Sequence, residues 1–225
     1  RFSKYPPCWP ALLSLGVRLD AREWVNPILA ALCVWLTYRL GKKLVNEAVG
    51  LVAALLTLTS PFFLLNSGTL LAHIWAFFLT LAFILAWIDL RALPARIPAW
   101  MLIWIAGLSL GLLALTRPLT ALAVGLPFFI EGLVTLIRGP KSIRGRILSV
   151  GIIALLLSAA LFLWQYAVTG DPLLNPYTLW WSYDRIGFGP GIGVQEGGHN
   201  LLWARSSTRF SLRAGLSDLF GWGRI

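Results

Sequence analysis

The feature that most constrains this chain is a series of long apolar runs along residues 24–168, separated by short breaks of charged or turn-forming residues. A helix needs about 20 apolar residues to cross a bilayer core roughly 30 Å thick. Six runs meet this requirement, at residues 24–40, 47–65, 70–90, 99–115, 119–137 and 147–168. They predict an all-α fold, a polytopic transmembrane helix bundle with six spans.

The composition excludes a soluble globular domain. The chain is 58% hydrophobic and 12% charged, whereas soluble domains carry about 25% charged residues. The net charge of +10 does not point to a nucleic-acid partner, because most charges lie in the breaks between apolar runs, as charges that orient membrane proteins do. The two cysteines, Cys8 and Cys33, are too few for a disulfide scaffold and are expected to be unpaired thiols.

The basic residues predict the orientation of the bundle. Alternate loops carry nine of them, namely Arg39, Lys42, Lys43, Arg91, Arg96, Arg138, Lys141, Arg144 and Arg146, whereas the two short loops on the other side carry only Arg117. Loops rich in lysine and arginine remain in the cytoplasm. Residues 1–23, the turns near residues 68 and 117 and the tail 169–225 are therefore expected on the outer face.

This orientation divides the single predicted domain, 1–225, into three regions. Residues 1–23 form the end of an outer loop with an interfacial helix at 11–19, which is apolar but too short to span. Residues 24–168 form the six transmembrane helices. Residues 169–225 form a large outer loop that is rich in tryptophan and arginine, and a second surface-lying helix is expected at 200–220.

Arg117 is the most informative residue on the predicted outer face. Thr116 is expected to cap the helix that follows, and Pro118 fits its first turn. A helix start that points outward beside a guanidinium group is an anion site, suited to a lipid phosphate. The alternative is an interfacial arginine whose side chain extends to water without binding a ligand.

Other outer residues are candidates for the same pocket. Lys4 precedes two prolines that stiffen the backbone, and His73 lies in the first turns of the third predicted span. His199 follows a pair of glycines, and a divalent metal held by His199 with Glu196 or Asp184 is considered although no ligand spacing supports it. The alternatives to a role in the pocket are that Lys4 is a solvated loop residue and that His73 is a buried hydrogen-bonding group.

The tail contains a charged pair next to a glycine-rich segment. Asp184 and Arg185 precede Gly-Phe-Gly-Pro-Gly-Ile-Gly at 187–193. This segment lacks the Gly-Lys-Ser/Thr of a phosphate-binding loop and does not join a strand to a helix as a dinucleotide turn does. It is expected to form a mobile loop that covers an outer site. Glu131, a carboxylate inside the fifth predicted span, has no partner that the sequence identifies.

Several short motifs carry a resemblance. The segments SKYPP, Thr116-Arg117-Pro118, TGDP, GFGPGIG and GHN, in this order, resemble the bacterial GT-C membrane glycosyltransferases related to protein O-mannosyltransferases and aminoarabinose transferases. The resemblance covers essentially the whole chain and implies a plasma-membrane enzyme with an extracytoplasmic active face. Such enzymes transfer a sugar from a polyprenyl-phosphate donor to a protein, lipid or glycan acceptor, with inversion at the anomeric carbon.

The resemblance also implies roles for individual residues. Lys4 matches the family's Lys-Pro-Pro cation and Arg117 the basic residue after its fifth span, so both are expected to hold the donor phosphate, with Arg185 as a third cation. A departure is Arg117-Pro118, where family members often have Lys-Gly. The family's catalytic aspartate lies upstream of Arg1, so the chain is expected to be a fragment that lacks the first span, the first outer loop and the general base, and to be inactive alone. Asp184 is the alternative candidate for the general base.

Two other function classes remain open at this point. A transporter or flippase for a lipid-linked or anionic substrate also fits a polytopic bundle, although the two halves of the chain show no convincing internal repeat. A non-catalytic membrane scaffold leaves the outer cations without a role. The sequence does not identify the sugar or the acceptor.

Overall fold

A computed structural model of the chain describes residues 5–92 and 97–219, and these are almost entirely helical. This confirms the all-α prediction. Within these residues, nine α-helices follow one another: α1 Cys8–Arg18, α2 Arg22–Leu44, α3 Glu47–Thr59, α4 Pro61–Ser67, α5 His73–Arg91, α6 Ala99–Ala114, α7 Pro118–Arg138, α8 Lys141–Thr169 and α9 Leu201–Ala214. A 3₁₀-helix, Pro176–Leu179, precedes α9, and a π-turn, Gly215–Leu219, follows it. The described part contains no β-strand, only an isolated bridge between Gly189 and His199.

Three of the described helices, α5, α7 and α8, are long and apolar enough to cross a membrane. The bent pair of α3 and α4 makes a fourth candidate if it counts as one span. The other two predicted spans form helices but fall short of this standard. Helix α6 has 16 residues, and the apolar run of α2 is interrupted by Asn26, Pro27 and Arg39. The chain is therefore a membrane-protein candidate with three or four clear spans among the described residues.

The predicted continuous span at 47–65 is wrong in one respect, because the helix breaks at Ser60. Helices α3 and α4 are bent by 63° relative to each other. Ser60 is extended, with ψ of 119°, and its Oγ accepts a hydrogen bond from the amide of Phe63 at 3.4 Å. Pro61 then occupies the first helical position. A capping serine followed by proline begins a new helix, because proline has no N–H to continue the old one.

Helix α5 lies at the centre of the bundle. Nine of its 19 residues are buried. On one side, Phe83, Trp87 and Leu90 pack with residues of α6 and α8, and on the other, Ile74 and Leu81 pack with α1, α2 and α4. The outward faces of α3, α7 and α8 expose many large apolar side chains. Such faces are suited to hydrocarbon rather than water.

Helices α6 and α8 pack at short range along two glycines of α6. A Cβ placed on Gly107 would lie 2.7 Å from Cβ of Ile153, and one on Gly111 would lie 2.6 Å from Cβ of Leu157. Both distances are too short for real carbon contacts. The two glycines are four residues apart on one helix face, the small-xxx-small pattern that lets membrane helices approach closely.

Helices occur at both positions where surface-lying helices are predicted from sequence, with shifted boundaries. The helix expected at 11–19 is α1, which begins at Cys8 and buries Trp9 and Gly16. The helix expected at 200–220 is α9, which is capped by the Asn200 side chain and has no buried residue. Residue 220 lies outside the described residues.

The basic loops meet at one end of the bundle. Lys43 at the end of α2 forms an ion pair with Asp89 near the end of α5. Arg91 at the end of α5 forms one with Glu131 of α7. Nη1 of Arg146 at the start of α8 donates a hydrogen bond to the carbonyl of Leu90 at 3.3 Å. Since α5 begins at His73, that residue lies at the opposite end from these charges.

Candidate functional site

The site centres on a contact between Arg117 and His73. Nη1 of Arg117 lies 2.5 Å from Nδ1 of His73. Because guanidinium only donates hydrogen bonds, Nδ1 acts as the acceptor, and the imidazole is then the neutral tautomer with its proton on Nε2. The contact joins the start of α5 to the start of α7 and leaves Arg117 exposed. The remaining donors of the guanidinium therefore stay available to a ligand.

Arg117 itself occupies the N-cap position of α7, with φ of −145°, and Pro118 is the first helical residue. The expectation that Thr116 caps this helix is wrong. Thr116 is buried, and its hydroxyl donates to the carbonyl of Leu112 at 2.7 Å, within the last turn of α6. The amide of Arg117 bonds the carbonyl of Leu113 at 2.7 Å. The tight turn from α6 into α7 thus places the guanidinium beside the first turn of α7, whose amides lack helical acceptors.

His73 is held by the turn that precedes it. Nδ2 of the buried Asn26 donates to the carbonyls of Thr69 at 2.5 Å and Leu71 at 3.0 Å. Nε1 of Trp9 donates to the carbonyl of Leu70 at 2.8 Å. These bonds join α1 and α2 to the turn before α5, and Asn26 is only 1% exposed. Side chains from two earlier helices therefore fix the position at which α5 begins.

A groove of about 440 Å³ runs beside His73 at the bend between α3 and α4. Apolar side chains provide most of its lining, and four polar residues take part in it. The lining residues are Leu56, Thr57, Ser60, Phe62, Phe63, Asn66, His73, Ile74 and Phe77. The Phe62 and His73 rings meet edge to face, with centroids 6.5 Å apart. The groove is therefore mostly apolar, and His73, which contacts Arg117, is one of the residues that line it.

Residues of the segment 169–219 approach the same site. Tyr177, in the 3₁₀-helix, packs edge to face against Tyr5, with ring centroids 5.6 Å apart. Burial raises the pKa of the Tyr177 hydroxyl, and Tyr5 and Asp184 act in the same direction, whereas the positive charge of Arg117 lowers it. These effects place Asp184 and Arg117 within electrostatic range of one tyrosine. The fold thus brings the N-terminal segment, the α6–α7 turn and the 3₁₀-helix together.

The other predicted site residues are placed differently. Lys4 lies outside the described residues. Arg185 is exposed, and within the described ranges its guanidinium forms neither a hydrogen bond nor an ion pair. The His199 ring stacks on Phe188 with centroids 5.3 Å apart, and the His199 backbone bonds Gly189 and Ile192. His199 thus takes part in the turn of the glycine-rich loop rather than in the Arg117–His73 contact.

The glycine-rich segment is a folded turn. Gly187, Gly189, Gly191 and Gly193 all have positive φ, a conformation that side chains disfavour. The amide of Gly193 bonds the carbonyl of Tyr183 at 2.9 Å. Across residues 5–92 and 97–219, no three of histidine, cysteine, aspartate and glutamate come together in a way that could hold a metal ion.

Glu131 has a partner that the sequence does not identify. One carboxylate oxygen pairs with Arg91, and the other accepts a hydrogen bond from Nε1 of Trp87 at 2.8 Å. Arg91 also donates to the hydroxyl of Thr135 at 3.0 Å. The group joins α5 to α7 at the end of the bundle that carries the basic loops, so Glu131 belongs to a structural contact away from Arg117.

Sequence reasoning missed Asn26, Tyr5 and Tyr177. Asn26 and Pro27 together interrupt an apolar run, and a buried amide inside a predicted span is a signal for such a role. Tyr5 and Tyr177 lie in segments with no regular periodicity, so no pattern in the sequence indicates that they meet.

Comparisons with known proteins add no relative. No family model matches the chain, and neither a curated protein nor a solved structure is significantly similar to it.

Proposed function

We propose that the protein is a membrane glycosyltransferase that moves a sugar from a polyprenyl-phosphate donor to an acceptor on the extracytoplasmic face of a bacterial plasma membrane. The observation that carries the proposal is that the exposed Arg117 contacts His73, which lines an apolar groove. An anionic lipid has both a charged head and an apolar chain. The guanidinium is suited to the phosphate, and the groove is suited to the first units of the chain.

In the proposed reaction, negative charge develops on the leaving phosphate of the donor. The acceptor hydroxyl loses its proton to a carboxylate and attacks the anomeric carbon, while the bond from that carbon to the phosphate oxygen breaks. The sugar is transferred with inversion, and polyprenyl phosphate leaves with the bonding electrons. Arg117 and the first turn of α7 stabilise the charge that grows on the phosphate. Lys4 and Arg185 are proposed as further cations at this phosphate.

Asp184 is proposed as the general base within this chain. Asp184 is exposed and acts on the pKa of Tyr177, as Arg117 does. It therefore acts on the same hydroxyl as the arginine of the proposed phosphate site. An exposed carboxylate in this position can accept a proton from an acceptor hydroxyl that approaches from water.

Binding of undecaprenyl phosphate to the chain in lipid nanodiscs tests the proposal directly. We expect Arg117→Gln to weaken binding by about 1.5–3 kcal/mol, the value of a charged hydrogen bond. Arg117→Lys retains a point charge without the two-pronged geometry, so its affinity should lie between the two. Arg18→Gln, at an exposed arginine in the last turn of α1, is the matched control and should bind as the wild type does. Equal binding by Arg117→Gln and Arg18→Gln would overturn the proposal.

The break between α3 and α4 favours a second candidate, a transporter or flippase for a lipid-linked or anionic substrate. Transporters commonly place substrates at interrupted helices, and the groove lies at the 63° bend. Reconstitution in vesicles separates the two functions. Movement of a fluorescent polyprenyl phosphate between leaflets, without sugar transfer by the full-length protein, would favour the transporter.

A further inference from the structure

Helix α9 carries a row of three arginines. Arg205, Arg209 and Arg213 follow one another at intervals of four residues, and residues four apart lie on the same side of an α-helix. The helix contains no aspartate or glutamate. Among the side chains described in the ranges 5–92 and 97–217, no carboxylate forms an ion pair with any of the three. Because like charges at this spacing destabilise a helix, an anion outside the helix would relieve the repulsion.

Leucines share this side of α9. Leu202 lies three residues before Arg205, and Leu212 lies three residues after Arg209, so each is a neighbour of the row. They are 78% and 61% exposed. The same side of the helix therefore presents both positive charges and apolar groups, and both are accessible.

We propose that α9 binds anionic phospholipid headgroups at the membrane surface through the row of Arg205, Arg209 and Arg213. A bilayer interface offers phosphate groups and hydrocarbon within the length of one side chain, so the guanidinium groups reach the phosphates while the leucines enter the acyl region. An acidic polypeptide would match the charges but would offer no apolar surface to the leucines between them. The lipid surface is thus the occupant that satisfies both kinds of side chain.

This binding would fix the outer loop to the membrane. Helix α9 follows the glycine-rich turn, and none of its residues is buried in the fold. Anchoring by lipid would therefore hold the loop that carries Tyr177 and Asp184 close to the bilayer. The proposal does not rest on the glycosyltransferase function, and its test uses no substrate.

Spin labels on the whole chain in nanodiscs test the proposal. In a background of Cys8→Ser and Cys33→Ala, one label is placed by Leu212→Cys and a control label by Ser207→Cys, on the side of α9 opposite the row. The measured quantity is the ratio of oxygen accessibility to accessibility by a water-soluble nickel relaxant at position 212. We expect this ratio to be severalfold higher in discs with about a third phosphatidylglycerol than in discs of phosphatidylcholine alone. Position 207 should remain accessible to nickel in both, and high salt should reverse the change at 212 because it screens charge.

Variants of the three arginines show whether their charge causes the response to anionic lipid. Replacing all three arginines by glutamine should abolish the response to anionic lipid, and replacing all three by lysine should retain it, since lysine keeps the charge. Equal accessibility at position 212 in both lipid compositions would overturn the proposal even if the glutamine variant failed to fold. Protection of position 212 by added polyglutamate but not by anionic lipid would also overturn it, in favour of an acidic polypeptide partner.

Discussion

The guanidinium of Arg117 donates a hydrogen bond to Nδ1 of His73, 44 positions earlier in the chain. The bond requires imidazole in its neutral form, because a protonated ring has no acceptor at Nδ1. The Arg117 guanidinium thus retains its full positive charge, while the neutral imidazole of His73 fixes its orientation. An arginine held in this way loses less conformational entropy when it binds an anion.

His73 should therefore act as a positioning residue for Arg117. We expect His73→Phe, which keeps an aromatic ring beside Phe62 but removes the acceptor, to weaken undecaprenyl phosphate binding by about 0.5–1.5 kcal/mol, the net value of a typical hydrogen bond. Titration in nanodiscs measures the affinity. His199→Phe is the matched control, since His199 packs on Phe188 rather than Arg117. The role of His73 would be contradicted if both variants bound the lipid equally well.

The orientation of the bundle can be checked by cysteine labelling. In a Cys8→Ser background, an impermeant maleimide should label Gly68→Cys in intact cells, because the exposed turn at residue 68 lies at the same end as His73. Ser142→Cys, exposed at the start of α8 among the basic residues, should react only after the membrane is opened. Labelling of position 142 in intact cells would contradict the predicted orientation and, with it, the proposal of an extracytoplasmic site.

The pKa of Tyr177 reports on the charges around the site. Burial first, and then Tyr5 and Asp184, raise this pKa, and Arg117 lowers it. We expect Asp184→Asn to lower the pKa and Arg117→Gln to raise it further. Fluorine NMR of a 3-fluorotyrosine at position 177 measures both shifts against the unsubstituted chain. A shift of the same sign in both variants would show that the two charges do not act on Tyr177 as the structure places them.

The raised pKa of Tyr177 also predicts the direction in which the free energy of unfolding changes at alkaline pH. The folded state favours the neutral hydroxyl of Tyr177, so this contribution is complete below the unfolded pKa of about 10 and is lost as the pH rises above it. Arg117→Gln should make the chain more sensitive to alkali, because the phenolate of Tyr177 then loses the positive charge that stabilises it. Thermal unfolding of the wild type and of Arg117→Gln, at pH values below and above the ionisation of Tyr177, measures the difference.

Much of the helical architecture could be predicted from the sequence, because the length of an apolar run is a local property. Helices occur at all six predicted runs, and α7 begins at Pro118 as its first-turn proline suggests. The break at Ser60 was missed although Ser-Pro carries a signal for it, because hydropathy averaged over a run conceals a single capping residue. The contacts of Arg117 with His73 and of Tyr177 with Tyr5 depend on how distant helices and loops pack, which no local pattern specifies.

Close packing of α6 on α8 should depend on the absence of a side chain at Gly111. In Gly111→Ala the added carbon would meet Leu157 at 2.6 Å, and the carbonyl of Ala154 limits movement on the other side at 3.3 Å. We expect the two helices to separate and the free energy of unfolding to fall by about 1–3 kcal/mol, as for other overpacked cores. Unfolding in mixed detergent micelles measures the loss.

Gly151 of α8 provides the matched control for this substitution. An added Cβ at Gly151 meets no atom within 4 Å, so Gly151→Ala introduces no clash. It should leave stability unchanged or increase it by up to about 1 kcal/mol, since alanine favours a helix more than glycine does. The two variants add the same methyl group to the same pair of helices, so helix propensity alone would move both in the same direction. A loss of stability confined to Gly111→Ala identifies the glycine contact as the cause, and an equal change in both would show that α6 and α8 do not pack along Gly111.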